Sequence, residues 1–523
     1  MSRRDRALLW LLPLVFVAGL FALRAVGMPF WQAFNLDPDY YYLLNGLRLA
    51  EGLAPTDVSH PGTPVQVVIA LVLRAMHPTA STAEVVAAVL GDPEGHLVAA
   101  TSVIYVLVGG ALWVLGRAAY GWGGLWPALL AQSAPFLGRI IPKMAFHPKP
   151  EPFLVIAVAL LAAICLDIAR KGRADDRQAV WAGAVMGFGI ACKIHFVALG
   201  LVPLLLLDRR RLVIYAGATV AAFVVFCGPA IPSFDIWIGW MKRVVMGSGA
   251  YGEGPRTVVD TGRYPRAVLR LFSAKWFFTG AFVASIAMLA AYARLRRRGL
   301  LAADPLARLL AGILMGQFVT ILLTAKQPAP HYMVPAMMLT GPAMAVLWAM
   351  SAKVLPPVGW RRLWAAVAVA TVIAPSIGMV QQLRELRTWT RDTQALPMER
   401  FAACAKVYFD AASAKSYAFQ RGDLNALGRY SPQLAKLLPG DEYSWFIFDH
   451  TWWKQSLMQW NRPVALDDIL GRYPCVVFRG NQYSRFGEVA AGLHYDDRCA
   501  VGEEELFTRG VTCEGKPVAA LAK

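Results

Sequence analysis

Charge is what this chain lacks first. Only 16% of its 523 residues are Asp, Glu, Lys or Arg, where a soluble domain carries about 25%. Acid is scarcer still, with 34 Asp and Glu against 52 Lys and Arg, a net charge of +18. There is no P-loop, no HExxH, no GxSxG and no CxxC pair. Nucleotide hydrolysis on a Walker site, zincin proteolysis, serine-hydrolase chemistry and dithiol redox chemistry therefore have no motif to rest on. No internal repeat and no low-complexity segment is present.

What the chain has in excess is apolar surface. Hydrophobic residues make up 57% and the mean hydropathy is +0.45, more than a soluble domain can hide, so a bilayer must solvate it. A span needs about 20 apolar residues, and eleven runs are candidates, 7–28, 97–116, 122–140, 152–168, 179–191, 196–207, 212–230, 276–295, 306–323, 332–350 and 364–380, of which the fifth and sixth are short and nearly continuous, so that the expected count is ten to twelve. The first follows the basic stretch Met1 to Arg6 and has no small-residue cleavage site behind it, so it reads as a retained span.

The basic excess encodes topology. With the N-terminus inside, alternation places Arg117, the run from Arg170 to Arg177, Arg209 to Arg211, Arg294 to Arg298, and Lys353, Arg361 and Arg362 in the inside loops. That is the positive-inside pattern, and it leaves no call for a nucleic-acid partner. The same alternation puts loops 29–96 and 231–275 and the tail 384–523 outside. Within the first loop, 64–76 reads as a helix too short to span, lying at the interface or re-entering the bundle. The expected fold class is an all-α polytopic bundle of about eleven spans (1–383) with a small α/β or α+β extracytoplasmic domain (384–523). That tail carries interleaved aromatics, turns at Pro439-Gly440 and Arg479-Gly480-Asn481, and a strand-like run from Cys475 to Phe478. Its cysteines, Cys404, Cys475, Cys499 and Cys513, are even in number in a compartment that permits disulfides, with the pairing left open. Cys165, Cys192 and Cys227 fall in apolar spans as small hydrophobes.

Five polar knots from distant parts of the chain fall on the outer face. Asn35-Leu36-Asp37-Pro38-Asp39-Tyr40-Tyr41-Tyr42 sets two carboxylates just past the first span. They have the chemistry of a general base, a metal ligand or an electrostatic orienter, while a plainer role for Asp39 is to cap a helix over 40–50. His60-Pro61-Gly62-Thr63-Pro64 is a rigid turn with an acid/base or phosphate-contacting histidine. Lys143, His147, Lys149 and Glu151 form a phosphate-facing patch, or snorkelling lysines at a helix end. Lys193 and His195 break an apolar hairpin, and Lys326, His331 and Tyr332 separate the ninth and tenth spans. Carboxylates among cations on one membrane face suit an anionic lipid headgroup beside an acid that accepts a proton. Trp237, Trp240, Tyr251, Arg256, Arg263, Arg266 and Lys275 of the long loop are placed to close over it.

From Asp37-Pro38-Asp39-Tyr40-Tyr41-Tyr42 through Leu47 to Gly52 and Ser59-His60-Pro61-Gly62-Thr63-Pro64, the chain resembles the GT-C superfamily of membrane glycosyltransferases, including protein O-mannosyltransferases and aminoarabinose transferases. The resemblance covers the spans and not the tail. It implies a polyprenyl-phosphate-linked sugar donor, with Asp37 deprotonating the acceptor and Asp39 second. It also implies Glu151 near the second acidic position and His331-Tyr332, before Val334-Pro335, on the lipid phosphate. Lys193 stands in Cys192-Lys193-Ile194 where those relatives read Thr-Lys-Gly. Lys143, Lys149, Lys193 and Lys326 would stabilise the departing phosphate. Some members use a divalent metal (Mg or Mn), for which Asp37, Asp39 and Glu151 are the ligands to consider. The expectation is an inverting glycosyltransferase of a bacterial inner membrane, its tail periplasmic and its acceptor a glycan, lipid or protein. The alternative from another class is a polytopic transporter or lipid-linked sugar flippase. A ligase or mutase of the O-antigen type is the rival within the enzymes.

Overall fold

The computed structural model describes residues 1–27, 29–32, 38–59, 61–248, 252, 254–273, 275–354, 356–409, 411–446, 456–481 and 493–518. Asp37, His60 and Tyr251 lie outside the described residues. The chain divides into two compact units, Met1–Ala22, Val58–Val65 and Thr101–Gln382 on one side, and Leu23–Asp57, Gln66–Ala100 and Leu383–Lys523 on the other.

The first unit is helical, and the chain as described is a multi-pass membrane protein. Among the described residues eight helices are long and apolar enough to cross a membrane, against eleven expected runs. The other three runs fold differently. Run 122–140 becomes the short helix Leu125–Gln132 and a 3-10 turn at Ala134–Phe136. Run 179–191 lies in the 17-residue helix Asp176–Cys192, and run 196–207 is mostly the 3-10 segment Ile194–Leu201. Hydropathy counts apolar residues and cannot see where the backbone tightens. The expected short helix of the first loop is present as Thr63–Met76, with 14 residues.

Local chemistry sets the helix ends. Pro150 opens the helix Pro150–Lys171, where its missing N–H costs nothing, and Gly172 closes it in the left-handed conformation. Asp175 and Gln178 form a capping box on Asp176–Cys192. That helix then packs on Arg209–Cys227 through Gly183 and Gly187. A Cβ at either position would fall 2.5 Å from a carbonyl oxygen, of Tyr215 or Thr219. Small residues four apart let two helices approach where no hydrophobic force drives them together.

The second unit holds a seven-stranded mixed sheet: β1 Ala405–Phe409, β2 Glu442–Phe446, β3 Ser456–Gln459, β4 Arg462–Pro463, β5 Val476–Asn481, β6 Asp497–Val501 and β7 Glu504–Arg509. The order is β4-β3-β2-β1-β5-β7-β6, with β1 parallel to both β2 and β5 and the other pairs antiparallel. β1 and β5 are buried throughout, as central parallel strands must be. The proline of β4 sits at the sheet edge, where its missing donor costs no ladder bond. The strand read from Cys475 to Phe478 is the start of β5, so the tail is the small α/β domain expected. Cys404 bonds Cys475, pinning the entry of β1 to that of β5, and Cys499 bonds Cys513.

Candidate functional site

The first unit carries a charge centre inside apolar helices. Glu151, in the first turn of Pro150–Lys171, receives a hydrogen bond from the Lys193 Nζ to its Oε1 at 2.6 Å. Both side chains are 4% exposed or less. Lys193 follows the end of Asp176–Cys192, where the chain turns extended before the 3-10 segment. The sequence thus spends a helix break to set an ammonium opposite a carboxylate. Buried charge of this kind is tolerated only when paired. Lys149 and His331 also bear on the Glu151 charge, and Oε2 of Glu151 has no hydrogen-bond partner.

Tyr332 links this pair to a cavity. Its ring lies 5.0 Å from Lys193 Nζ, 5.3 Å from the His195 ring, edge to face, and 4.2 Å from the His331 ring. The cavity, about 110 Å³, is lined by His195 and Tyr332, by Trp240 of the long loop, and by Thr324, Lys326 and Gln327. Lys326 donates to the backbone oxygen of Val245 at 2.6 Å, tying the loop helix Phe234–Met246 to the cavity wall. Three residues that line it each hold one buried polar atom, His195 Nε2, Thr324 Oγ1 and Gln327 Nε2, with no hydrogen-bond partner among the described residues. Leaving such a group unpaired costs about 1–3 kcal/mol.

Of the remaining residues picked from sequence, Lys149 and His147 are buried at 3% exposure each, the latter against the Phe146 ring. Lys143 is exposed on the helix Ile140–Ala145 and takes no part in the cluster. Of the long loop, Trp240 joins the wall, whereas Arg256, Arg263 and Arg266 are exposed and Arg263 pairs with Asp260. Lys275 lines a different cavity. His195, beside Lys193 in the sequence, lines the cavity, and so do Thr324 and Gln327, which a reading by charge does not pick out. Their signal is polarity at the end of a span, two positions before Lys326 and one after it.

In the second unit Asp39 is 2% exposed and lies 3.7 Å from Arg24, another buried side chain. The plain capping role fails: Asp39 precedes the helix Tyr40–Ala50 but makes no side-chain cap hydrogen bond, because its carboxylate is turned to the arginine. Glu94 accepts from the Phe30 backbone at 2.7 Å and from the Tyr40 hydroxyl at 2.9 Å. Neither Arg24 nor Glu94 was singled out in the sequence, although Glu94 is a carboxylate three residues before an apolar run.

The metal expectation meets this geometry. Among the described residues no group of three His, Cys, Asp or Glu side chains could hold an ion. Asp39 faces Arg24 and Glu151 faces Lys193, and Asp37, the third ligand to consider, lies outside the described residues.

The crystal structure of ArnT from Cupriavidus metallidurans in the apo state aligns with 95% of this chain and 97% of its own, at TM-score 0.50 and 13% identity. The two share a fold. ArnT from the same organism bound to undecaprenyl phosphate aligns over 98% of both chains, at TM-score 0.49 and 14% identity. The Archaeoglobus fulgidus oligosaccharyltransferase complex with Zn and sulfate covers 78% of this chain and 60% of its own, at 0.43 and 11%. No family model matches the sequence, and no curated protein does. At these identities the likeness speaks for architecture, and the chemistry must come from the side chains.

Proposed function

We infer that this protein is a GT-C glycosyltransferase that moves a sugar from a polyprenyl-phosphate carrier to an acceptor hydroxyl or amine on the periplasmic face. The observation that carries the reading is the cavity whose wall holds three unpartnered polar atoms beside Lys326. At about 110 Å³ it is far below the roughly 300–1,000 Å³ of a pocket for a whole small molecule. It suits a phosphate group, with sugar and prenyl chain outside it. The two disulfides of the tail support an oxidising compartment, and the basic loops support the orientation.

In this reading Asp37 takes the proton of the acceptor. The freed lone pair attacks the anomeric carbon from the face opposite the phosphate, the carbon–oxygen bond to phosphate breaks, and polyprenyl phosphate departs with the electron pair. Configuration at that carbon inverts. Asp39, held by Arg24, orients the segment that carries Asp37. Lys326, with His195, Thr324, Gln327, His331 and Tyr332, receives the phosphate, whose growing charge they stabilise in the transition state. Lys193 acts one layer back, holding Tyr332 and Glu151 in place. Lys149 adds positive potential; His60, Lys143 and His147 are further contacts for donor or acceptor.

The test supplies polyprenyl-phosphate sugars to membranes holding wild type or Asp37→Asn. Transfer by the wild type with a loss of about 100-fold or more in the mutant is expected for removal of a general base. Unchanged transfer in the mutant overturns the assignment of Asp37. Movement of the lipid-linked sugar across the membrane with no transfer at all would replace the enzyme by a flippase.

A further inference from the structure

We propose that a second cavity in the first unit, between Arg139 and Lys275, is a binding site for the headgroup of an anionic membrane phospholipid. The inference does not rest on the transferase reading, and the cavity shares no lining residue with the one described above.

The cavity measures about 490 Å³. Its polar lining is basic or neutral, with Arg139, Lys275 and Gln381 and no carboxylate. Its apolar lining includes Phe136, Trp276 and Phe277. Among the described residues Lys275 has neither an ion pair nor a side-chain hydrogen bond, and burial alone pulls its ammonium below the usual lysine range. It also occupies the N-cap of the helix Trp276–Arg297 and makes no cap bond there. The helix dipole disfavours a cation at that end. A half-buried ammonium at the wrong pole of a helix, with no carboxylate among the residues that line its cavity, is a liability unless an anion arrives.

The walls say which anion. Trp276 is 87% exposed, beside a lysine and at the start of a span, the position in which tryptophan sits at the level of lipid headgroups. Arg139 begins the neighbouring short helix Ile140–Ala145. A phosphodiester between Arg139 and Lys275 would leave its acyl chains to run along Trp276, Phe277 and Ile377 into the hydrocarbon. A free inorganic anion would gain nothing from those walls. A zwitterionic lipid would bring its own cation into an already basic cavity.

The test reconstitutes the full chain in nanodiscs of equal parts phosphatidylcholine and phosphatidylglycerol and counts retained lipids by native mass spectrometry. Wild type should retain phosphatidylglycerol in preference. Lys275→Gln and Arg139→Gln should each lower retention roughly fivefold, and the double variant should abolish the preference. Lys275→Arg should restore it, and Arg256→Gln, an exposed cation elsewhere in the same unit, should not change it. Thermal unfolding of each variant separates lost lipid from lost fold. Wild-type preference in a folded double variant overturns the proposal. So does displacement of the lipid by inorganic phosphate, which would make this a simple anion site. So does its displacement by a polyprenyl phosphate at stoichiometric amounts, which would make the cavity part of the donor site.

Discussion

Two polar regions of this molecule differ in the polar groups they gather. Along the seam between the helices Tyr40–Ala50 and Lys415–Asn425, in the second unit, Asn45, Arg48 and Glu51 are matched. Asn45 Oδ1 accepts from the backbones of Thr56 and Asp57 at 2.8 and 3.0 Å, while its Nδ2 donates to the Tyr41 oxygen. Arg48 reaches the oxygens of Ala54 and Ala426, both at 3.0 Å. Glu51 accepts from Tyr430 at 2.6 Å and pairs with Arg429 at 2.8 Å. Among the residues that line the small cavity of the first unit, His195, Thr324 and Gln327 each leave a buried atom without a partner among the described residues. A satisfied network fixes a structure, whereas an unsatisfied wall waits for something to complete it. The seam therefore reads as the mount of the acidic segment, and the cavity as the place where a ligand's oxygens belong.

The largest break to expect is at the charge pair. Lys193→Met strands Glu151 in an apolar interior, and should cost about 3–5 kcal/mol in unfolding experiments on detergent-solubilised protein. Glu151→Gln combined with Lys193→Met removes both charges and should recover most of that. A harmless single mutant would show that the two do not depend on each other. Next, replacing Cys404 and Cys475 by serine should lower stability of the tail by about 2–4 kcal/mol in denaturant titration, an effect that reductant reproduces in the wild type. Gly422→Leu tests the seam itself: a Cβ there would already stand 3.0 Å from the Tyr40 oxygen. Forcing the two helices apart should cost about 1–3 kcal/mol. Thr324→Val sharpens the contrast at the cavity. Without ligand it should be neutral or stabilising by up to about 1 kcal/mol, whereas Asn45→Ala in the seam should destabilise by about 1–3 kcal/mol.

The smallest effect is a pH dependence at the seam's end. Asp423 accepts from the Tyr430 backbone at 2.8 Å and from the Ser431 hydroxyl at 2.6 Å. Burial pushes its carboxyl above the ordinary aspartate value of 3.8. Because the folded pKa is the higher one, the protonated form favours folding. Stability from this group is full below that ordinary value and falls as pH rises through the raised one. Asp423→Asn should flatten this part of the stability–pH curve, and an unchanged slope would remove the assignment.

The sequence made the membrane legible because hydropathy and loop charge are additive along the chain. The run 152–168 and the helix Pro150–Lys171 agree for that reason. Loss of legibility came wherever geometry decided. Nothing in Phe196 to Leu207 announced a 3-10 segment in place of a span. Lys193 and Glu151 were both visible as charges out of place, yet 42 positions separate them, and their pairing follows from three-dimensional packing. Asp39 looked like a helix cap by type and position, and only Arg24, distant in sequence and buried, explains why it is not one. Thr324 and Gln327 carry no charge, so a search by charge passed over them, although their unmet hydrogen bonds mark the cavity more firmly than its lysine does.

The account stands on the claim that the unpartnered atoms of the small cavity receive the phosphate of a polyprenyl carrier. The direct measurement is the affinity of a short-chain polyprenyl phosphate for the wild type and for His195→Phe combined with Thr324→Val, with unfolding followed in the same samples. Losing two hydrogen bonds to a charged group should weaken binding by roughly 100-fold or more while the unliganded protein unfolds as before. Equal affinity in a folded double variant would contradict it.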